Sequence, residues 1–426
     1  MPQVILTACV AIAAVVAFVR LPALHPAVLV LFPWALTLGL FQVDLLSYRP
    51  LSTSTALLIG ACLATFAVGS LVGDRLGEKD RQASSRGGAQ IDIERAAAVI
   101  CVLAACGLLL FLAQVATRFG ARAALVADPH VRLAVGGGAT QFTIKYIYLA
   151  FAAAALCGMA AAGAASARRR WSWAACAVAS VSAEYFSTGR SNILLAALMA
   201  CVGWAVTRGS LSRRHLAAAA AAIGVVALVS FFAVGALLGK TAGASDLFSY
   251  ENVFATHPWL KQLALPYQYL TAPVGGLNIV ADISPEFGRA HGCATLSVGC
   301  SAGRRLGLPM QPEPQLTAFT APPSTENTFT AFYDPVIDVG PWLAPLMMAA
   351  FGLAAGRLWA RTRVSWTAVG VYSVWAAVLA YSTVENTLLQ SYVVGASVCI
   401  AAALFAARRW RIAGGHGYSE ATDHYP

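Results

Sequence analysis

Long uninterrupted apolar runs constrain this chain more than any other feature, because roughly 16 to 25 such residues at about 1.5 Å each suffice to cross a bilayer core of about 30 Å. The runs lie at 4–19, 24–42, 54–73, 96–116, 141–165, 172–187, 191–207, 216–239, 335–358, 365–381 and 388–406. They are apolar on every face and show no ten-residue alternation, so helices are expected and barrel strands are not. With 58% hydrophobic and 11% charged residues, the chain has too little charge for a water-facing surface over 426 residues. The expected fold is all-α: one polytopic membrane domain spanning 1–426, with about eleven transmembrane helices. No Lys or Arg precedes the first run, which therefore reads as a span and not a cleavable signal.

Basic residues orient the spans. If the C-terminal tail 407–426 is cytoplasmic, the inner segments hold Arg20, the 75–95 and 168–170 clusters, Arg208, Arg213, Arg214, Arg357, Arg361, Arg363 and the 408–411 cluster. That places 18 of 29 Lys and Arg inside against 7 of 19 acids, a balance of +11, and leaves −1 outside. The net charge of +10 is then a topology signal. It comes as short clusters at helix ends, with no basic domain, so no nucleic-acid partner is expected. The bilayer is the expected environment, and eleven spans put the N-terminus outside.

Two external loops exceed the usual length, 117–140 and 240–334, and long loops in compact proteins tend to carry function. Residues 258–282 read as helical pieces at the membrane surface, with Trp259, Tyr267 and Tyr269 at headgroup level. Eight cysteines fall in or beside apolar runs and read as packing residues. Cys293 and Cys300 stand apart in the outer loop, on the oxidising side, and are expected to form a disulfide. The chain has no Walker loop, HExxH, GxSxG or CxxC, and its seven histidines lack ligand spacing. No metal and no cofactor is expected.

Two polar constellations interrupt the apolar pattern. The hairpin Glu184-Tyr185-Phe186-Ser187-Thr188-Gly189-Arg190-Ser191-Asn192 puts Arg190 at the outer face. There it can snorkel to headgroups, pair with Glu184, or hold a phosphate in its planar fork. The stretch Glu326 to Gly340 carries Asp338 about one turn into an apolar run, which costs about 2.5 to 3.5 kcal/mol without a partner. Asp334 and Asp338 could alternatively stabilise a helix N-terminus. Glu385 occupies the turn before the last run.

The pattern Asn327-x-Phe329-Thr330-x-Phe332 followed by Asp338-x-Gly340, the Ser187-x-Gly189-Arg190-Ser191 hairpin and the Tyr269-Leu270-x-x-Pro273 segment of a large outer loop resemble Wzy-type O-antigen and repeat-unit polysaccharide polymerases. The likeness covers nearly the whole layout but only about 35 residues in motif. It implies a metal-independent glycosyltransferase of the bacterial inner membrane, active at the periplasmic face. Its substrates would be undecaprenyl-diphosphate-linked oligosaccharides, and a chain-length regulator is an implied partner. It implies diphosphate-binding arginines on two outer loops, matched in kind by Arg118, Arg122 and Arg132 on one and by Arg289, Arg304 and Arg305 on the other, with Arg190 from the hairpin. Asp338 and Glu385 are the candidate bases, Asn327 and Thr330 lie in the motif, and Tyr267 and Tyr269 are candidate sugar platforms.

Three other classes fit less of the chain. An O-antigen ligase shares the layout and the donor, with His257 or His291 as a loop histidine. A glycosyltransferase using polyprenyl monophosphate sugars would show paired acids in the first outer loop, which holds only Asp44. A transporter would show charges lining a path and internal repeats.

Overall fold

The computed structural model describes residues 2–82, 92–120, 144–187, 190–209, 224, 253–257, 261–283, 292–309, 319–321, 324–326, 330–384 and 389–415. These are almost entirely helical. In chain order they form α1 (Pro2–Arg20), α2 (Pro26–Val43), α3 (Thr53–Gln82), α4 (Ile93–Phe119), α5 (Ile144–Gly163), α6 (Ala167–Ala183) and a 3-10 turn (Glu184–Ser187). There follow α7 (Arg190–Arg208), α8 (Val253–Thr256), α9 (Lys261–Ile283) and α10 (Ser297–Arg305). A small antiparallel ribbon, β1 (Phe319–Ala321) with β2 (Ser324–Glu326), precedes α11 (Tyr333–Val339), α12 (Ala344–Thr362), α13 (Trp366–Ala380) and α14 (Ser391–Gly415).

Among the described residues seven helices are long and apolar enough to cross a membrane: Pro2–Arg20, Pro26–Val43, Thr53–Glu78, Ile93–Phe119, Tyr146–Gly163, Ser191–Arg208 and Ser391–Arg408. Several runs expected as spans differ. The run 335–358 is broken, because α11 stops at Gly340 (φ 81°) and α12 begins only at Ala344. α6 and α13 are 17 and 15 residues long, and the run 216–239 lies almost wholly outside the described residues. α1 leaves Val4, Ile5, Ile12, Val15, Val16 and Val19 exposed. Such a surface is unfavourable in water by about 25 cal/mol per Å² and costs nothing against hydrocarbon.

Capping fixes where the helices start. His25 accepts the Ala27 N–H on Nδ1 at 3.2 Å, and Pro26 opens α2 with a residue whose missing N–H is not needed there. Asp92 caps α4 through the Arg95 N–H at 3.0 Å, and Ser166 caps α6 through the Arg169 N–H at 3.3 Å.

The chain falls into two compact units, each assembled from three separate segments. The first comprises Met1–Glu78, Leu228–Ala360 and Trp375–Val394, the second Lys79–Ala227, Arg361–Val374 and Gly395–Pro426.

In the first unit, α3 and α12 run parallel in backbone contact. A Cβ on Gly69 would strike the Ala349 carbonyl, on Gly73 that of Leu353, on Gly352 that of Phe66 and on Gly356 that of Ser70. Glycine is required at these points because the helices touch by backbone, the small-residue solution to packing where no hydrophobic force drives helices together. The Thr65 hydroxyl extends the seam by donating to the Pro345 carbonyl at 2.7 Å. α1 and α2 form an antiparallel hairpin, joined by Gln42 Nε2 donating to Thr7 Oγ1 at 3.2 Å and by Phe18 against Phe32.

This unit has two distinct ends. At one, Gln3 of α1 accepts the Leu51 N–H at 3.2 Å, so the start of α1 meets the loop 44–52, which leads into α3. At the other, His25 Nε2 faces Asp74 Oδ2 at 3.7 Å, with Trp359 edge-on to the imidazole.

The second unit packs α4, α5, α6 and α7 around the alanine-rich α5, where Phe151 to Cys157 are all fully buried. Gly158 lies on the Ala200 carbonyl and Gly203 on that of Ala155, so α5 and α7 also approach through glycine. Phe111 of α4 stacks on Tyr146 of α5 at 5.0 Å, and Phe186 joins that cluster.

Candidate functional site

Side-chain hydrogen bonds from α9 gather on the loop 44–52 of the first unit. α9 is a single helix of 23 residues that holds Pro266 and Pro273, not a set of surface pieces. Residues 271 to 278 are all buried, whereas a helix lying on a membrane would keep one face open. Its polar side chains Tyr267, Thr271 and Asn278 recur at helical spacing on one face, the side of loop 44–52.

The Tyr267 hydroxyl donates to the Leu40 carbonyl at 2.8 Å and accepts the Leu45 N–H at 3.0 Å. Thr271 donates to the Tyr48 hydroxyl at 3.2 Å, and Gly275 admits the Tyr48 ring, which a Cβ would meet at 3.3 Å. Asn278 accepts the Ser52 N–H at 2.9 Å and donates to the Pro50 carbonyl at 3.1 Å. The loop is thus fixed to α9 along its whole length. This corrects the reading of Tyr267 as a sugar platform or interfacial anchor: its ring is buried against Phe254, with centroids 5.5 Å apart, and presents no open face. Tyr269 is half-buried.

The same loop carries the two described non-glycine residues with positive φ, Asp44 (51°) and Ser47 (57°). The Asp44 carboxylate accepts the Tyr48 N–H at 2.8 Å. Partial burial pushes its carboxyl above the usual carboxylate range, with the Tyr48 N–H acting in the opposite sense.

Asp338 sits in the last turn of α11, so the alternative role of stabilising a helix N-terminus does not apply to it. Its carboxylate is buried and gripped by backbone donors: the Ala294 N–H reaches Oδ1 at 2.9 Å and the Thr295 N–H reaches Oδ2 at 2.6 Å. Both donors belong to the turn closed by the Cys293–Cys300 disulfide, which has a Cα–Cα distance of 5.5 Å and a sequence separation of 7. The partner that a carboxylate at this depth requires is therefore the disulfide turn. Arg304, on α10 directly beyond it, donates through Nη2 to Ser301 Oγ at 3.3 Å.

α11 is in turn fixed to its surroundings. Phe332 stacks on Trp34 of α2 at 4.5 Å, the Ala331 N–H donates to the Ser382 carbonyl at 2.8 Å, and Tyr333 and Ile337 pack on Val280 of α9. Thr330 is fully buried at its entrance, its hydroxyl accepting the Phe332 N–H at 3.4 Å. Around this element Trp34 Nε1, Thr295 Oγ1 and Ser382 Oγ are buried without a hydrogen-bond partner among the described residues. Each such group costs about 1 to 3 kcal/mol if left unsatisfied, so this shell has capacity for further polar contacts.

One measurable consequence follows from the grip on Asp338. Asp338→Ala removes two charge-assisted bonds, each worth about 1.5 to 3 kcal/mol, and should free the disulfide turn. Reduction of Cys293–Cys300 by a membrane-impermeant thiol, followed by maleimide gel shift, should accelerate in Asp338→Ala and stay at the wild-type rate in Asp44→Asn. An unchanged rate in Asp338→Ala would show that another contact holds the turn.

In the second unit, Arg190 is the first residue of α7, and Glu184, in the 3-10 turn earlier in the chain, is fully buried. The Arg190 side chain lies outside the described residues, as do Arg122, Arg132, Arg289, Asn327, Glu385, Trp259 and His291. His257 is exposed at the end of α8, its Nδ1 2.9 Å from the Thr256 hydroxyl. Among the described residues no group of three or more His, Cys, Asp or Glu could hold a metal ion.

The lacing residues Tyr48, Thr271 and Asn278 and the buried Trp34 escaped the sequence reading. The one available signal was the spacing of Tyr267, Thr271 and Asn278, which places polar groups on one helical face. Comparison with protein-family models, with curated proteins and with solved structures finds no match to the chain.

Proposed function

We propose that the chain is a polysaccharide polymerase that joins undecaprenyl-diphosphate-linked oligosaccharide repeat units at the periplasmic face of a bacterial inner membrane. The observation that carries the reading is the coincidence of the Ser187-x-Gly189-Arg190-Ser191 motif with the start of a 19-residue helix. A helix N-terminus offers free N–H groups and the positive end of the macrodipole, which favour an anion, and arginine is the residue type whose planar fork matches a diphosphate.

A lipid diphosphate is already a good leaving group. Its transfer needs cations to neutralise the departing charge, a base for the acceptor hydroxyl and restricted water. In this proposal Arg190 takes the diphosphate, with Arg122 of the same unit as a further loop cation. Asp338 acts as a positioning residue, since both its oxygens are engaged with the disulfide turn.

The proposed orientation, with about eleven spans and a large external loop 240–334, rests on the charge division between basic and neutral segments. Two features of the first unit support it. The disulfide suits an oxidising compartment, and its turn is tied through Asp338 to α11, which packs on Val280 of α9 two residues from the Asn278 that holds loop 44–52; Arg20, Arg75 and Arg357 mark the opposite end. Tag fusions at 85, 210 and 420 should then report cytoplasm, and those at 130 and 295 periplasm.

Deletion of the gene in its host, with lipid-linked glycans resolved on a gel, tests the function. Single repeat units on the surface lipid are the expected result. Loss of glycan from the surface lipid with lipid-linked polymer retained would instead mean ligation, and unchanged polymer would overturn both.

A further inference from the structure

The eight cysteines outside the disulfide are free, and by sequence alone they are small apolar packing residues. Two of them touch. In the second unit Cys101 of α4 and Cys157 of α5 bring their Sγ atoms to 3.3 Å. On α6 the Ser180 hydroxyl donates to the carbonyl of Cys176, one turn earlier, at 2.9 Å.

A disulfide needs its sulfurs about 2.05 Å apart, so these two require an approach of about 1.3 Å. Their surroundings differ in a way that orders the chemistry. Cys157 is fully buried, whereas Cys101 is only partly so. Cys101 also lies seven residues, about 10 Å along the helix, from Glu94, which pairs with Arg169 at 3.8 Å and marks the polar end of α4 and α6.

We propose that Cys101 and Cys157 form an oxidisable dithiol, a modification site at which a peroxide converts two touching thiols into a covalent link between α4 and α5. Cys101 sulfur attacks one peroxide oxygen, the O–O bond breaks, and the other oxygen leaves as water, giving a sulfenic acid on Cys101. Cys157 sulfur then attacks the Cys101 sulfur, the S–O bond breaks, and a second water leaves. Sulfur loses two electrons, and the peroxide gains them. The link closes a covalent loop between residues 56 apart in sequence, a larger ring than the seven-residue separation closed by Cys293–Cys300. Thiols buried among apolar side chains alone are inert, so contact with a second thiol is what sets Cys101 apart from a lone membrane cysteine such as Cys62.

The full-length protein in membrane vesicles is exposed to hydrogen peroxide, its remaining thiols are blocked with N-ethylmaleimide, and it is digested without reduction for mass spectrometry. The expected product is a peptide pair joined through Cys101 and Cys157, two hydrogens lighter than the sum of its parts, with two thiols lost from labelling. Cys101→Ser and Cys157→Ser should each abolish the pair, and Cys9→Ser should leave it unchanged. Labelling of all eight thiols after peroxide would overturn the proposal. So would a sulfinic acid on Cys101 beside a labelled Cys157, or a link from Cys101 to Cys176 in its place. The wild-type product is read directly, so the outcome does not depend on how the variants fold.

Discussion

Arg190→Ala should abolish polymer while the protein accumulates to wild-type levels. On the proposed reading the guanidinium holds the diphosphate as its charge develops, and removing one such preorganised donor costs on the order of 10² to 10³ in rate. Arg190→Lys should recover little of that loss, because an ammonium is a point charge and cannot reproduce a two-bond fork. Arg208→Ala, at the far end of the same helix, is the control and should leave polymer length near normal. Polymer length on a gel separates the alternatives. If Lys restores full polymer, Arg190 only reaches headgroups; if Ala retains it, the residue is outside the site and Arg122 and Arg289 become the next to test.

The second large effect concerns folding, not chemistry. Gly356→Val should prevent the first unit from assembling, since a Cβ there would meet the Ser70 carbonyl carbon at 2.8 Å and the Asp74 nitrogen at 2.9 Å. These obstacles are backbone, so no side-chain rotation relieves them. Overpacking typically costs about 1 to 3 kcal/mol, and a clash between two helix backbones belongs at or beyond the upper end of that range. Gly39→Val in α2 is the matched control, because a Cβ there would meet nothing within 4 Å. Thermal unfolding in detergent should show a large loss for Gly356→Val and little change for Gly39→Val. Equal melting temperatures would mean that α3 and α12 are not in the backbone contact described above.

Much of the fold is legible from run length alone. α1 to α5 and α14 lie where apolar stretches of spanning length predict them, because hydrocarbon demands internally satisfied backbone whatever the neighbours are. The break between α11 and α12 is hidden because 335–358 is apolar apart from Asp338 and, near its end, Arg357. Its signal was local, a Gly340-Pro341 pair that stops one helix and disfavours its continuation. α9 differs in the opposite sense: the aromatics of 258–282 read as interfacial pieces, yet tertiary burial keeps 23 residues in one helix.

The candidate site was legible only in part. Asp338 stood out by its depth, but its partners are backbone N–H groups 43 and 44 residues away, and backbone donors leave no trace in side-chain patterns. Trp34 likewise meets Phe332 through a contact that no periodicity reports. The cysteines show the same limit, since 101 and 157 carry no spacing that would join them.

The glycine seam between α3 and α12 sets a timetable for biogenesis. Ser70 and Gly356 are 286 residues apart, so at roughly 5 to 20 residues per second α3 exists for about 14 to 57 s before its partner is synthesised. Throughout that interval a helix face shaped for intimate contact stands open to lipid, while most of the second unit's chain is being made. The first unit cannot mature in order of synthesis. It must hold its amino-terminal helices in reserve, and a ribosome that stalls before residue 344 would leave behind a helix with a ready-made face for the wrong neighbour.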